Sequence, residues 1–164
     1  MLKLTLTRTY GDCNITVGDL RDEHGELRLK TFEKRCPEKW KGMKNFCALP
    51  VGVYKMSFVM IPGSLDETLK VSTTGTYRRA MITGSAFSSI PAGSICVGLS
   101  VDNYKLRNRE EAIDVFCCWL KEQKHRGLIP WTPKAGDVLL EIKNDPNFLW
   151  METEEQEITD EEYE

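Results

Sequence analysis

Leu2-Lys3-Leu4-Thr5-Leu6-Thr7-Arg8 sets an apolar side chain at every second position, and the period of two returns in Ile15-Thr16-Val17-Gly18-Asp19-Leu20 and Leu27-Arg28-Leu29-Lys30-Thr31-Phe32. Successive side chains of a strand point to opposite faces, so this pattern predicts three half-buried strands. Asp22-Glu23-His24-Gly25 stands between the second and third and supplies the turn chemistry of a hairpin. His24 reads there as an exposed turn residue rather than a catalyst.

Working outward, Gly52-Val53-Tyr54-Lys55-Met56-Ser57-Phe58-Val59-Met60 is a strand entered through Pro50 and ended by Ile61-Pro62-Gly63-Ser64. Further strands are expected at 67–73, 79–84 and 94–100, the last two enclosing a loop at 85–93. A helix at 108–126 follows, with Asn108 and Glu111 spaced as an N-terminal capping box and Lys124-His125-Arg126-Gly127 as its positive last turn and stop. Its interior holds Ala112, Ile113, Val115, Phe116, Cys117, Cys118, Trp119 and Leu120, apolar almost all round, which predicts cover on more than one face. Asp137-Val138-Leu139-Leu140-Glu141-Ile142-Lys143 is the last strand. Residues 34–48 form a lysine-rich loop anchored by Trp40 and Phe46. The expected fold is mainly β with one long helix (α+β), a compact antiparallel, barrel-like sheet in a single domain over 1–151.

The composition agrees with a globular chain. At 164 residues, 41% hydrophobic and 29% charged, it is long enough to bury ~70% of its unfolded surface. No apolar run approaches the ~20 residues of a membrane-spanning helix, and the N-terminus lacks the apolar centre of a signal peptide. A cytoplasmic location is therefore expected. The net charge of −3 is unevenly spread: eight of the 25 acids and none of the 22 bases fall in 152–164, which leaves a mildly basic body. Such an acidic tail reads as solvated disorder, or as an interaction tail anchored by Ile158 and Tyr163.

The stretch Arg79-Ala80-Met81-Ile82-Thr83-Gly84-Ser85 and the later Gly93-Ser94-Ile95-Cys96-Val97-Gly98 carry the one motif of interest. With the opening Leu2-to-Arg8 segment and Leu49-Pro50-Val51-Gly52-Val53-Tyr54-Lys55, they resemble an uncharacterised domain-of-unknown-function family of bacteria and their phages, over roughly residues 1–143. Members of that family carry Ile-Arg-Ile-His-x-Gly-Asn followed by Gly-Cys-Ile-x-Val-Gly, a His and Gly-Cys arrangement similar to that of L,D-transpeptidases. Here no histidine precedes Gly84, and serine follows Gly93.

The resemblance implies a scaffold that has lost its Cys/His pair, with Thr83, Gly84, Ser85, Gly93 and Ser94 as the binding loop and Ser94 and Cys96 as the weak catalytic candidates. A thiol needs a base or cation to be thiolate at neutral pH, and a serine needs one more. A non-enzymatic binding or structural protein of phage or mobile-element origin, phage-encoded or virion-associated, is the expectation. Its partner would be a protein or the cell wall. The alternative is a cell-wall-active transpeptidase- or peptidase-like enzyme with a rearranged site.

The remaining chemistry is sparse. Cys13, Cys36, Cys47, Cys96, Cys117 and Cys118 lack Cys-x-x-Cys spacing, so reduced thiols and no metal are expected, Cys36 with Cys47 being the weak zinc candidate. Cys117 and Cys118 diverge by ~100° on a helix and read as buried small hydrophobes. No phosphate-cradling glycine loop is present, and no cofactor is expected. Lys39, Lys41, Lys44, Lys70, Arg78 and Arg79 lack interleaved aromatics, so they read as solvated charges and nucleic acid is not expected. Glu110 and Glu111 suit the first turn of a helix.

Overall fold

In the computed structural model, which describes residues 1–37 and 47–151, the alternating leucines form β1 (Leu2–Gly11), with Leu2, Leu4 and Leu6 buried. The expected hairpin is present as β2 (Thr16–Asp22) and β3 (Arg28–Glu33), paired antiparallel with Leu20 opposite Leu29. Its turn uses Gly25 at φ +72° and an Asp22 carboxylate that accepts from the Leu27 amide at 3.0 Å. β4 (Gly52–Met60) and β5 (Glu67–Val71) form a second antiparallel pair, and β6 (Ile82–Thr83), β7 (Ile95–Gly98) and β10 (Val138–Trp150) complete a sheet of eight strands. The strand order is β5-β4-β10-β1-β2-β3-β7-β6.

The two ends of this sheet nearly meet. Val71 donates its amide to the Ala80 carbonyl at 2.9 Å, Lys70 and Met81 form an antiparallel bridge, and Thr68 Oγ1 donates to the Ile82 carbonyl at 2.7 Å. The result is a nearly closed, barrel-like sheet, mostly antiparallel as expected. Two pairs depart from that rule, since β1 runs parallel to β10 and β6 parallel to β7. β1 shifts register between Arg8 and Tyr10 against both neighbours. β10 answers with an excursion at 145–148, where Pro146 lacks an amide for the ladder and Asp145 caps Asn147.

The last strand thus runs well beyond the expected 137–143. The strands expected at 67–73 and 79–84 are shorter than the pattern suggests. A single 3-10 turn at Gly75–Tyr77 carries the chain round to the seam, so 79–81 serve as seam contacts and the strand starts at Ile82. An unforeseen small hairpin, β8 (Ser100–Asp102) and β9 (Lys105–Arg107), leads into the helix.

α1 (Arg109–His125) lies against β7 and β5, the strands on either side of the two-residue β6. Ala112, Phe116, Trp119 and Leu120 join Leu4, Leu6, Met56, Ile82, Ile95 and Leu140 in one apolar cluster. Burying Phe116 and Leu120 fully is worth ~1.5–3 kcal/mol each. Cover on several faces is not what the helix has: Val115 and Cys118 are exposed, and the buried residues make one stripe at helical spacing. Nor is there a capping box. Asn108 enters the helix at φ 58°, and its side chain reaches Glu111 Oε1 at 3.4 Å instead of a first-turn amide, because a capping side chain needs an extended residue behind it. The C-terminus ends as expected, with Gly127 at φ +76° and Leu128 donating to the Gln123 carbonyl at 3.0 Å.

Among the described residues no helix is long and apolar enough to cross a membrane. The acidic tail at 152–164, with Ile158 and Tyr163, lies outside the described residues. So do Lys39, Lys41 and Lys44 and the anchors Trp40 and Phe46.

Candidate functional site

The motif residues meet where β6 and β7 run side by side and α1 begins. Thr83 pairs with Cys96 across the parallel ladder, and Gly84 then passes so close to the helix that a Cβ there would lie 2.9 Å from both the Arg109 carbonyl and Ile113 Cγ2. Only glycine permits that approach. Arg109 Nη1 donates to the Gly84 carbonyl at 3.1 Å, while Thr83 Oγ1 accepts from the Ser85 amide at 3.1 Å and donates to Ser85 Oγ at 3.0 Å. Gly93 turns at φ +80° and donates to the Cys47 carbonyl at 3.1 Å.

Ser94 and Cys96, the two weak nucleophile candidates, are both fully buried. Ser94 precedes β7, its Oγ accepting from the Met81 amide at 3.2 Å and donating to the Arg79 carbonyl at 3.5 Å. Cys96 Sγ donates to the Ser85 carbonyl at 2.7 Å. Burial pushes the Cys96 thiol up to about 11, with the nearby Arg109 guanidinium opposing the shift. The neutral thiol is therefore the dominant form near neutral pH.

Neither histidine can act on them. Cys96 pairs with Phe32, and His24 lies beyond Arg28 at the far end of β3, ~13 Å or more along the strand. His125 ends α1, ~24 Å from the Arg109 end that adjoins the loop, and packs edge-on against Trp131 with ring centroids 4.9 Å apart. A general base must come within ~3 Å of the proton it takes.

Beside the motif loop lies a groove of about 500 Å³ that the sequence reading missed. One wall is the turn at 86–88 with Phe87, which meets Phe32 edge to face at 6.2 Å. The other is the β8–β9 hairpin, which sits directly on β7: a Cβ on Gly98 would lie 2.5 Å from Leu106 Cγ and 2.8 Å from the Arg107 carbonyl. Lys105, Arg107 and Arg109 line the groove with Tyr104. Arg107 stands 4.0 Å from Asp102. Asn103 and Tyr104 form the hairpin tip with φ 49° and 60°, and Tyr104 is 65% exposed. Tyr10 lies close enough for its phenol to be raised, first by burial and then by Tyr104 and Asp12, with Lys30 opposing. The sequence did carry a signal, a cation at every second position from Lys105 to Arg109.

The other sequence candidates disperse. Lys70, Arg78 and Arg79 do not line the groove. Cys36 and Cys47 are buried, and among the described residues no three His, Cys, Asp or Glu side chains converge as a metal site. Cys117 is buried as expected, but Cys118, one step round the helix, is exposed. Cys118 is the sole exposed thiol of the six, so a maleimide should react quickly with one equivalent and slowly with the rest. A Cys118→Ser variant should lose that fast phase, and a fast phase surviving the substitution would contradict the placement.

Comparison of the chain with protein-family models, with curated proteins and with solved structures finds no match in any of the three. The geometry of the loop and groove therefore carries the functional argument.

Proposed function

We propose that this protein is a non-enzymatic binding protein of phage or mobile-element origin, whose ligand occupies the groove between the turn at 86–88 and the β8–β9 hairpin. The observation that carries this reading is the fate of Cys96: its thiol is buried, bonded to the Ser85 carbonyl and shifted away from thiolate. Ser94 likewise spends its hydroxyl on the seam. Both side chains serve the framework, while Thr83, Gly84 and Ser85 fix the start of α1 against the loop. The groove beside them is open, charged and aromatic, as binding sites with few convergent polar groups are.

The test is covalent. A thioester or β-lactam acyl probe is expected to leave no adduct on the intact protein by mass spectrometry. Ser94→Ala and Cys96→Ala should each cost only ~1–2 kcal/mol of stability, the worth of a buried hydrogen bond or small cavity. A stoichiometric acyl adduct that disappears in either variant would favour the transpeptidase-like alternative and end the binding-protein reading.

A further inference from the structure

Tyr104 occupies a conformation that its side chain disfavours. A two-residue hairpin turn with both central residues at positive φ selects Asn-Gly or Asp-Gly, and this turn is Asn103-Tyr104. A bulky residue at φ 60° is an outlier, held here at a tip where the residue is largely exposed. Strain of this kind persists where the surroundings over-determine it and clusters at ligand sites. The ring stands at a groove that also holds Phe87 and three cations, two of them, Lys105 and Arg107, exposed on the same strand.

The positive surface continues past the groove. Lys30 pairs with Gly98, and the next residue, Leu99, donates its amide to the Arg107 carbonyl at 2.9 Å. Leu99 is also a wall of a second recess, of about 200 Å³, lined by Arg21, Arg28 and Lys30. The two concavities are therefore neighbours across a single strand end, with cations in both. Two of these cations face carboxylates, Asp19 holding Lys30 at 2.6 Å and Asp102 standing 4.0 Å from Arg107, so a phosphate at either takes over a contact that an acid now makes.

Building on the binding-protein reading, we propose that this surface takes a single-stranded nucleic acid, with a base stacked on Tyr104 and phosphates on Lys105, Arg107 and Arg109, the strand running on toward Arg21, Arg28 and Lys30. Proteins that hold single strands combine a cationic track with aromatic platforms, and every base offers a π-face. An acidic peptide would satisfy the cations but would leave the strained, exposed tyrosine without a purpose. A duplex keeps its bases stacked inside, out of reach of a ring on a short hairpin. Lys70, Arg78 and Arg79 do not line the groove, whereas the fold places Tyr104 and Phe87 among Lys105, Arg107 and Arg109.

The experiment measures fluorescence anisotropy of labelled oligo(dT) and oligo(U) 15-mers, a duplex of the same length and poly-glutamate against the full chain, at several salt concentrations. The two single strands distinguish DNA from RNA as the source, and binding of either supports the proposal. Affinity should fall with salt, with a logarithmic slope between about −2 for the three phosphate contacts of the groove and about −4 when the three cations beyond it also engage, and Arg107→Ala should flatten it by about 0.7. Tyr104→Gly should raise Tm by ~2–4 °C, since glycine relieves the turn, and yet weaken binding about 5- to 150-fold. No binding of either single strand, preference for duplex, equal affinity for poly-glutamate, or unchanged binding by Tyr104→Gly would each overturn the assignment. Its failure leaves the binding-protein reading standing, because that reading falls only to an acyl adduct at Ser94 or Cys96.

Discussion

Glu33→Ala is expected to destabilise the protein by about 3–5 kcal/mol, measured as a fall in urea midpoint at constant slope. Arg8 donates through Nε to Glu33 Oε1 at 3.1 Å and through Nη2 to Oε2 at 2.8 Å, and Nη2 also donates to the Leu49 carbonyl at 2.6 Å. Both side chains are wholly inaccessible to solvent. Removing the carboxylate takes from a wholly buried guanidinium the two charge-assisted hydrogen bonds that offset its desolvation. The double variant Arg8→Met, Glu33→Leu should cost far less than the single one, because both charges leave together. A single variant within about 1 kcal/mol of the parent would contradict a buried, fully desolvated pair.

The second large effect is alkaline. An ordinary thiol ionises near 9, whereas burial holds Cys96 protonated in the folded state up to about 11. The unfolded chain thus releases its proton first, and rising pH pulls the equilibrium toward it. Nothing is lost below pH ~8, and between pH ~9 and ~11 the cost grows to about 2–3 kcal/mol. Cys117 is pushed the same way, to about 11, by burial first and then by Asp66, Asp114 and Cys118, so it adds to the trend. Urea unfolding at pH 7.5, 9 and 10.5 should show a steeper decline for the parent than for Cys96→Ala. Equal declines would show that Cys96 is not the group being titrated.

How much of this was legible depended on the range over which each signal acts. The β2–β3 hairpin, the strand from Gly52 and the helix stop at Gly127 are local patterns, and each lies where its pattern put it. The pairing of β1 with β10 is not local: nothing near Leu2 says that its partner is Val138 or that the two run parallel. The β8–β9 hairpin escaped because three residues are too few to show a period, and its Asn103-Tyr104 turn lacks the glycine that would have announced it. The candidate site divides in the same way. Thr83, Gly84, Ser85, Gly93, Ser94 and Cys96 do come together, around β6, β7 and the start of α1; the groove beside them depends on β9 and the turn at Phe87 being brought face to face, which only the closed sheet accomplishes.

That closure has a consequence for synthesis. Of the sheet's strands β1 is made before the others and gains its β2 partner almost at once, but its other edge stays open until β10 emerges. β4 waits for the same strand, since β10 fills the gap between the two. Until then the β4–β5 pair meets the β1-β2-β3-β7-β6 strands across the seam but not across β10, and β1 and β4 each present a bare backbone edge of the kind that templates pairing with other chains. The interval is set by translation of everything from β5 through α1, so a stall before Val138 prolongs it, and a nascent-chain chaperone would find its substrate in those two edges.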